Sequence, residues 1–401
     1  MTTAARRLPP CTLIFEPVIR LLLLIPTLDR SGAEKQLMLL ARGLPTDEFS
    51  VHVVALTRGG PYADVLRQAG IDVTVLGKRM KFDPRTLRDL RRLVREERPD
   101  VIHSWLFAAN AYARFVAGGA NGPPVVVSER CVDSWKSGWQ LWLDRRLVSR
   151  TRMLLANSES VAEFYRGVGH PAERVMVIPN GIEEPPSPSC SREELLRELS
   201  LPDDARLVAY VGRLAPQKRL DTLLWAAQLL RQANERSYLL IAGDGPQAAW
   251  AKELSRKLEC DRHVRFLGHR DDAASLLPLV DAFWLASDFE GMSNSLMEAM
   301  ACGRPVVVSN IPPNRELVDH GVEGYLVDVG DGVGLAQYTA RLLDDPDLAA
   351  KMGEAGRRRM QEHHSVAQMV SRHAELYHRL LAPAAEGQSG TEDAAVGTSQ
   401  K

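Results

Sequence analysis

The sequence has no closely spaced cysteine pair, no long apolar run and no excess of charge of either sign, and each absence excludes a class of protein. Its five cysteines (Cys11, Cys131, Cys190, Cys260 and Cys302) are scattered along 401 residues. That spacing fits neither a disulfide framework nor a metal or redox site, so free thiols in a reducing cytoplasm are expected. Fifty Lys and Arg against 51 Asp and Glu leave a formal net charge of −1. No global basic field therefore argues for nucleic acid as a partner, and a polyanion or membrane contact needs a local patch. Arg6 and Arg7 precede an apolar stretch, Leu8 to Phe15, that prolines interrupt, and Leu21–Ile25 is only five residues long. A signal peptide needs a longer apolar region, and a spanning helix needs about 20 apolar residues.

Short apolar runs alternate with longer amphipathic stretches. Arg20–Ile25, Val51–Leu56, Val73–Leu76, Val101–Ile102, Val125–Val127 and Met153–Ala156 are rich in Val, Leu and Ile. Such runs suit parallel strands covered on both faces. Helical patterns over 33–42, 62–68, 85–97, 110–117 and 161–166 separate them. The alternation pauses at 183–191, where three prolines and three serines fall within nine residues. It restarts with Leu207–Val211, Tyr238–Ala242, Val264–Leu267, Ala282–Ala286, Val306–Ser309 and Gly324–Val327. The expectation is two doubly wound α/β domains facing each other across a cleft. They would span 18–182 and 200–364, joined by a linker over 183–199. A helix over about 365–382 follows. Residues 1–17 read as a loose extension, and 383–401, poor in large apolar side chains, as a disordered tail.

Three segments carry candidate chemistry. The first runs from Ser287 into the strand at Val306. Glu290 and Gly291 fall in a strand-to-helix loop, Ser293 is a helix cap, and a helix follows from Asn294. The unpaired N–H groups of a helix start suit phosphate, and a glycine beside it lets a ligand approach. Glu298 lies within an apolar helix and needs a partner. In the second segment, Gly212, Arg213 and Lys218 follow the first strand of the second domain. Two fixed cations there would stabilise a departing diphosphate, though ordinary loop cations read equally well. The third is the Gly32 turn after the first strand of the chain.

Together these motifs resemble family 4 of the retaining glycosyltransferases, which have the GT-B fold. The resemblance rests on Glu290 and Glu298 with seven residues between them, on Gly212-Arg213-Leu214 with Lys218, on Pro179-Asn180-Gly181, and on Gly32-Ala33-Glu34. It implies that Arg213 and Lys218 hold the donor diphosphate, that Glu290 touches the donor sugar, and that Glu298 touches the ribose. Backbone groups of Met292, Ser293, Asn294, Ser295 and Leu296 would assist, with Gly212 and Gly291 beside them and Gly32 opposite. Transfer of a hexosyl group from a UDP- or GDP-sugar, with retention and without a metal, is expected. The acceptor class stays open among lipid-linked, polysaccharide and small-molecule acceptors. Two departures stand out. Many members carry a His after the fifth strand, where this chain reads Ser128-Glu129-Arg130-Cys131, so Glu129 or Arg130 takes that space. Ser293 stands where Pro is common.

Other signals remain. His103, read as a strand end, is expected either to face the cleft as a catalytic group or to be structural. Asp345-Pro346-Asp347 reads as a turn rather than a metal site. Gly243-Asp244-Gly245-Pro246 nearly fits a dinucleotide fingerprint but follows the second strand of its domain, not the first. Trp135, Trp139 and Trp142 share one helical face near Lys136, Arg145, Arg146 and Arg150. That face packs into the core or lies on anionic lipid at the inner side of the cytoplasmic membrane. A nucleotide-sugar epimerase or hydrolase of the same fold, and a binding protein without catalysis, are the competing functions.

Overall fold

A computed structural model describes residues 18–119, 122–132 and 136–383. The N-terminal extension, most of the C-terminal tail and Trp135 lie outside the described residues. The first sheet is built from β1 (Ile19–Thr27), β2 (Phe49–Arg58), β3 (Asp72–Val75), β4 (Val101–Trp105), β5 (Val125–Glu129), β6 (Met153–Ala156) and β7 (Val175–Val177). All its pairs are parallel, in the order β3-β2-β1-β4-β5-β6-β7. The second sheet comprises β8 (Arg206–Val211), β9 (Ser237–Ala242), β10 (Val264–Gly268), β11 (Ala282–Leu285), β12 (Val306–Ser309) and β13 (Gly324–Val327). Its order is β10-β9-β8-β11-β12-β13, again parallel. These are the two doubly wound domains that the alternating pattern calls for. β7 is the strand the apolar pattern does not mark, because it is only three residues long and half-buried at two of them.

The run in β1 shows why the strands read as uniformly apolar. Leu21, Leu23 and Ile25 join one core cluster and Leu22 and Leu24 the other, on opposite faces of the sheet. Helices cover both faces, so no position needs to be polar. One cover is the last helix, Val366–Leu381, which places Met369, Val370, Leu376 and Tyr377 in the N-terminal core. The chain therefore crosses between domains twice, and the crossings touch: Ile182 N donates to His364 O at 2.7 Å. The expected linker over 183–199 is too long. Ser191 caps a helix, Arg192–Glu198, in a capping box with Glu194, and Leu195 and Leu196 are buried in the second core. Asp345 likewise is a helix cap, accepting from Leu348 N at 3.0 Å.

The tryptophan helix corrects the core-packing reading. In Gly138–Leu147, Trp139 and Trp142 are 58% and 57% exposed, while Asp144 and Leu147 are buried. The helix is anchored by charge instead, since Asp144 takes Arg114 Nη2 at 3.0 Å and Lys136 Nζ at 3.2 Å. Among the described residues no helix is long and apolar enough to cross a membrane.

Four buried histidines set the acid stability of this fold. Burial lowers His103 well below its ordinary 6.5, His170 and His364 to about 4, and His373 to about 3. The unfolded chain binds these protons near pH 6.5 and the folded one does not. Their contribution is thus complete above pH 6.5 and is lost as pH falls toward 4. Thermal midpoints are expected to hold level above about pH 7 and to drop as pH falls from about 6.5 to 4.5, and a flat profile across that lower range would contradict this account.

Candidate functional site

In each sheet the strand order reverses beside the first strand, between β1 and β4 and between β8 and β11. Crevices form at the carboxyl ends of strands at such points. The Gly32 turn follows β1, the Gly212–Lys218 loop follows β8, and the Glu290 loop follows β11. Both switch points open on one cleft of about 1220 Å³. Gly32, Gly212, Arg213, Lys218, Glu290, Gly291, Met292, Ser293, Asn294, Ser295 and Glu298 all line it. Leu296 does not, because its side chain is fully buried in the second core. It faces the helix start only through its N–H, one of the first-turn donors that a helix leaves without an internal acceptor.

His103 is not in the cleft, which corrects its expected catalytic placement. β4 continues to Trp105, so His103 is mid-strand and fully buried. Its Nδ1 meets Tyr377 Oη and its Nε2 meets Ser128 Oγ, each at 2.7 Å. The ring ties the last helix to the sheet. Of the two residues considered for the space after β5, Glu129 is buried away from the cleft against Asn110 Nδ2 at 3.0 Å and Lys136 Nζ at 3.4 Å. Arg130 lines the cleft.

The charged groups are arranged in pairs. Glu290 is buried and accepts from Lys218 Nζ and from Ser287 Oγ, the latter at 2.6 Å. Glu298 has its partner across the cleft: Lys35 Nζ lies 2.8 Å from its Oε1. Burial works against the Lys35 charge, but Glu298 outweighs it, and the lysine stays above its ordinary value. Arg213 is exposed and makes no ion pair among the described residues, so its guanidinium is available to a ligand. Its backbone is fixed, since Tyr210 Oη donates to Arg213 O at 3.0 Å. Among the described residues no three His, Cys, Asp or Glu side chains gather to hold a metal ion.

The helix Asn294–Ala301 begins at Ser293, whose hydroxyl holds the cap position without making a capping bond. Asn294 at its first turn bridges the domains. Its Oδ1 accepts from Asn180 Nδ2 at 2.7 Å and Gln36 Nε2 at 3.3 Å, and its Nδ2 donates to Gly32 O at 3.1 Å. Lys35, Gln36 and Asn180 thus belong to the site although no single segment marks the first two. Their signal was proximity in sequence to Gly32, while Asn180 sits in the Pro-Asn-Gly motif. At Gly291 the two domains approach closely, because a Cβ there would lie 2.0 Å from Arg130 O.

Backbone cannot give way as a flexible side chain can, so Gly291→Ala must part the domains. The variant is expected to keep its far-ultraviolet circular dichroism and to show a larger radius of gyration in solution scattering. Scattering identical to the wild type would contradict the close approach.

The family model described as Glycosyltransferase Family 4 matches residues 30–184, and that described as Glycosyl transferases group 1 matches residues 191–359. The chain is 28% identical over 235 residues to the N-acetyl-alpha-D-glucosaminyl L-malate synthase of Bacillus anthracis, covering 58% of this chain and 61% of that protein. It thus spans about three fifths of that relative. It is 27% identical over 324 residues to the UDP-Gal:alpha-D-GlcNAc-diphosphoundecaprenol alpha-1,3-galactosyltransferase of Escherichia coli, covering 76% of this chain and 83% of that one. The crystal structure of HepE from Anabaena in complex with UDP superposes with a TM-score of 0.77 at 25% identity, over 89% of this chain and 99% of that one. With its two halves matched in turn by these models, and with two Rossmann-like domains about one cleft, the chain belongs to the GT-B glycosyltransferases of the family 4 type.

Proposed function

We propose that this chain transfers a hexosyl group, with retention and without a metal ion, from a nucleoside-diphosphate sugar, with UDP-sugars as the first candidates. The observation that carries this reading is the meeting, in one cleft, of Arg213, Lys218, the start of the Asn294 helix and two carboxylates. Charge develops on the leaving diphosphate as the glycosidic bond breaks. Arg213 and Lys218 are fixed cations that would stabilise it, and the helix N-terminus adds its dipole and free N–H groups. Protein cations acting this way supply the neutralisation that a metal gives elsewhere. Glu290, oriented by Lys218 and Ser287, would accept from sugar hydroxyls, and Glu298 would accept from the ribose. To do so Glu298 exchanges Lys35 for the nucleotide. A diphosphate held on the face where the acceptor arrives can take the acceptor's proton, which is compatible with retention.

The relatives name an L-malate product, a diphosphoundecaprenol acceptor and a UDP complex, and the first two leave both small-molecule and lipid-linked acceptors in play for this chain. A nucleotide-sugar donor and free cysteines at positions 190, 260 and 302 favour the cytoplasm. Exposed Trp139 and Trp142, with Arg146 stacked 5.3 Å from the Trp142 ring, favour contact with an anionic lipid surface and a role in polysaccharide or glycolipid synthesis.

Two outcomes are expected. Arg213→Ala and Lys218→Ala should each weaken UDP binding on the order of tenfold to a hundredfold by calorimetry, with EDTA leaving wild-type binding unchanged. Unchanged affinity in both variants would remove the diphosphate assignment. Wild-type protein should sediment with phosphatidylglycerol vesicles but not with phosphatidylcholine vesicles, and the Trp139→Ala, Trp142→Ala double variant should stay in solution. Equal sedimentation of both proteins would rule out that helix as the contact.

A further inference from the structure

Most cations in the cleft have a carboxylate. Lys218 has Glu290, Lys35 has Glu298, Arg58 has Asp29, and Arg270 has Asp272 and Glu198. Arg213 has none among the described residues but is exposed. Arg130 differs from all of these. It is half-buried in the cleft just past β5 and forms no ion pair among the described residues. Its guanidinium lies 3.8 Å from the Trp105 ring centroid, and its Nη1 donates to Asn180 Oδ1 at 2.9 Å. Its Nε is buried with no partner among the described residues. Burial pushes its pKa down to about 9, and its close titratable neighbours His103, His373 and Tyr377 are all held neutral by burial.

An unpaired guanidinium in such a place is costly, and stacking on an indole offsets only part of that cost. Two neighbours are also unsatisfied or strained. Asn157, whose Nδ2 reaches Arg130 O at 3.4 Å, has a buried Oδ1 with no partner among the described residues. Leu106 follows Trp105, lines the cleft and has φ of +69°, a conformation costly for a residue with a side chain. Such features persist where a ligand completes them.

We propose that Arg130 receives a carboxylate or phosphate oxyanion carried by the transferred sugar or by the acceptor, separate from the donor diphosphate. This rests on the reading of the cleft as a donor site. The separation follows from the layout. Arg213 and Lys218 belong to the second domain, whereas Arg130 stands on the first. The Glu290–Gly291 segment lies against its backbone, with Val132 N donating to Glu290 O at 3.3 Å. A guanidinium fork matches an oxyanion with two parallel bonds. A neutral substrate leaves the fork unpaired, so the same residue rejects it.

The test compares charged and neutral ligands on wild-type protein and Arg130→Met by calorimetry. The donor arm sets UDP-glucuronic acid against UDP-glucose. The acceptor arm, with UDP saturating, sets L-malate and glycerol 3-phosphate against glycerol. In one arm the wild type is expected to prefer the anion about tenfold or more. Arg130→Met should lose that preference while holding UDP within about twofold, and its thermal midpoint without ligand should be unchanged or higher, since an apolar side chain replaces an unpaired charge. Arg130→Lys, which keeps the charge without the fork, should retain only part of the preference. The proposal is overturned if wild-type protein shows no charge preference in either arm, a result that needs no variant to fold. It is overturned equally if Arg130→Met loses UDP as Lys218→Ala does. Failure of every UDP ligand to bind the wild type would instead sink the donor-site reading beneath it.

Discussion

Asn294 is the point on which the arrangement of the cleft depends. It stands at the first turn of a helix in the second domain, yet its side chain bonds to Gly32 O, Gln36 and Asn180 of the first. An amide suits this place because it offers donors and acceptors together, so one side chain satisfies groups on two elements. The same helix start points its free N–H groups into the cleft, and Glu298 lies one turn further on. Domain closure and ligand geometry are thus set by one short segment. Lys35 to Glu298 and Gly291 against Arg130 O extend the same seam.

The seam is polar. Among the described residues no apolar core cluster is shared by the two sheets, since the N-terminal strands and the C-terminal strands fill separate clusters. Polar interfaces of this kind exchange protein bonds for water at little net cost, which favours relative motion of the domains. The covalent side of the joint is firmer. The two chain crossings at Ile182 and His364 are hydrogen-bonded to each other, and the last helix is anchored in the N-terminal core by Leu376 and Tyr377. A joint fixed at one edge and polar at the other can open for substrate and close upon it.

Much of this was legible in the sequence where local rules act. The Leu run of β1 could be read as a strand covered on both faces because that environment asks for no polar residue. The loop from Ser287 to Glu298 showed its strand-turn-helix form in its own residues, and Glu298 in an apolar helix called for a partner. What local pattern does not carry is the identity of distant partners. His103 reads as a strand end because it breaks an apolar run, but it is satisfied by Tyr377 from the far end of the chain. The tryptophan face had helical period, yet Asp144 claims the interior through Arg114 and Lys136 and turns Trp139 and Trp142 outward. Lys35 gave no sign of itself except its place one turn after a marked glycine.

The central claim is that one cleft holds a nucleoside diphosphate between cations of the second domain and the start of the Asn294 helix. A crystal structure with UDP bound tests it most directly. The account predicts diphosphate oxygens within hydrogen-bond reach of Arg213 and Lys218, ribose hydroxyls on Glu298, and Lys35 released from that carboxylate. A nucleotide seated elsewhere, or one in the cleft with the Lys35–Glu298 pair intact and no contact to Arg213 or Lys218, would contradict it.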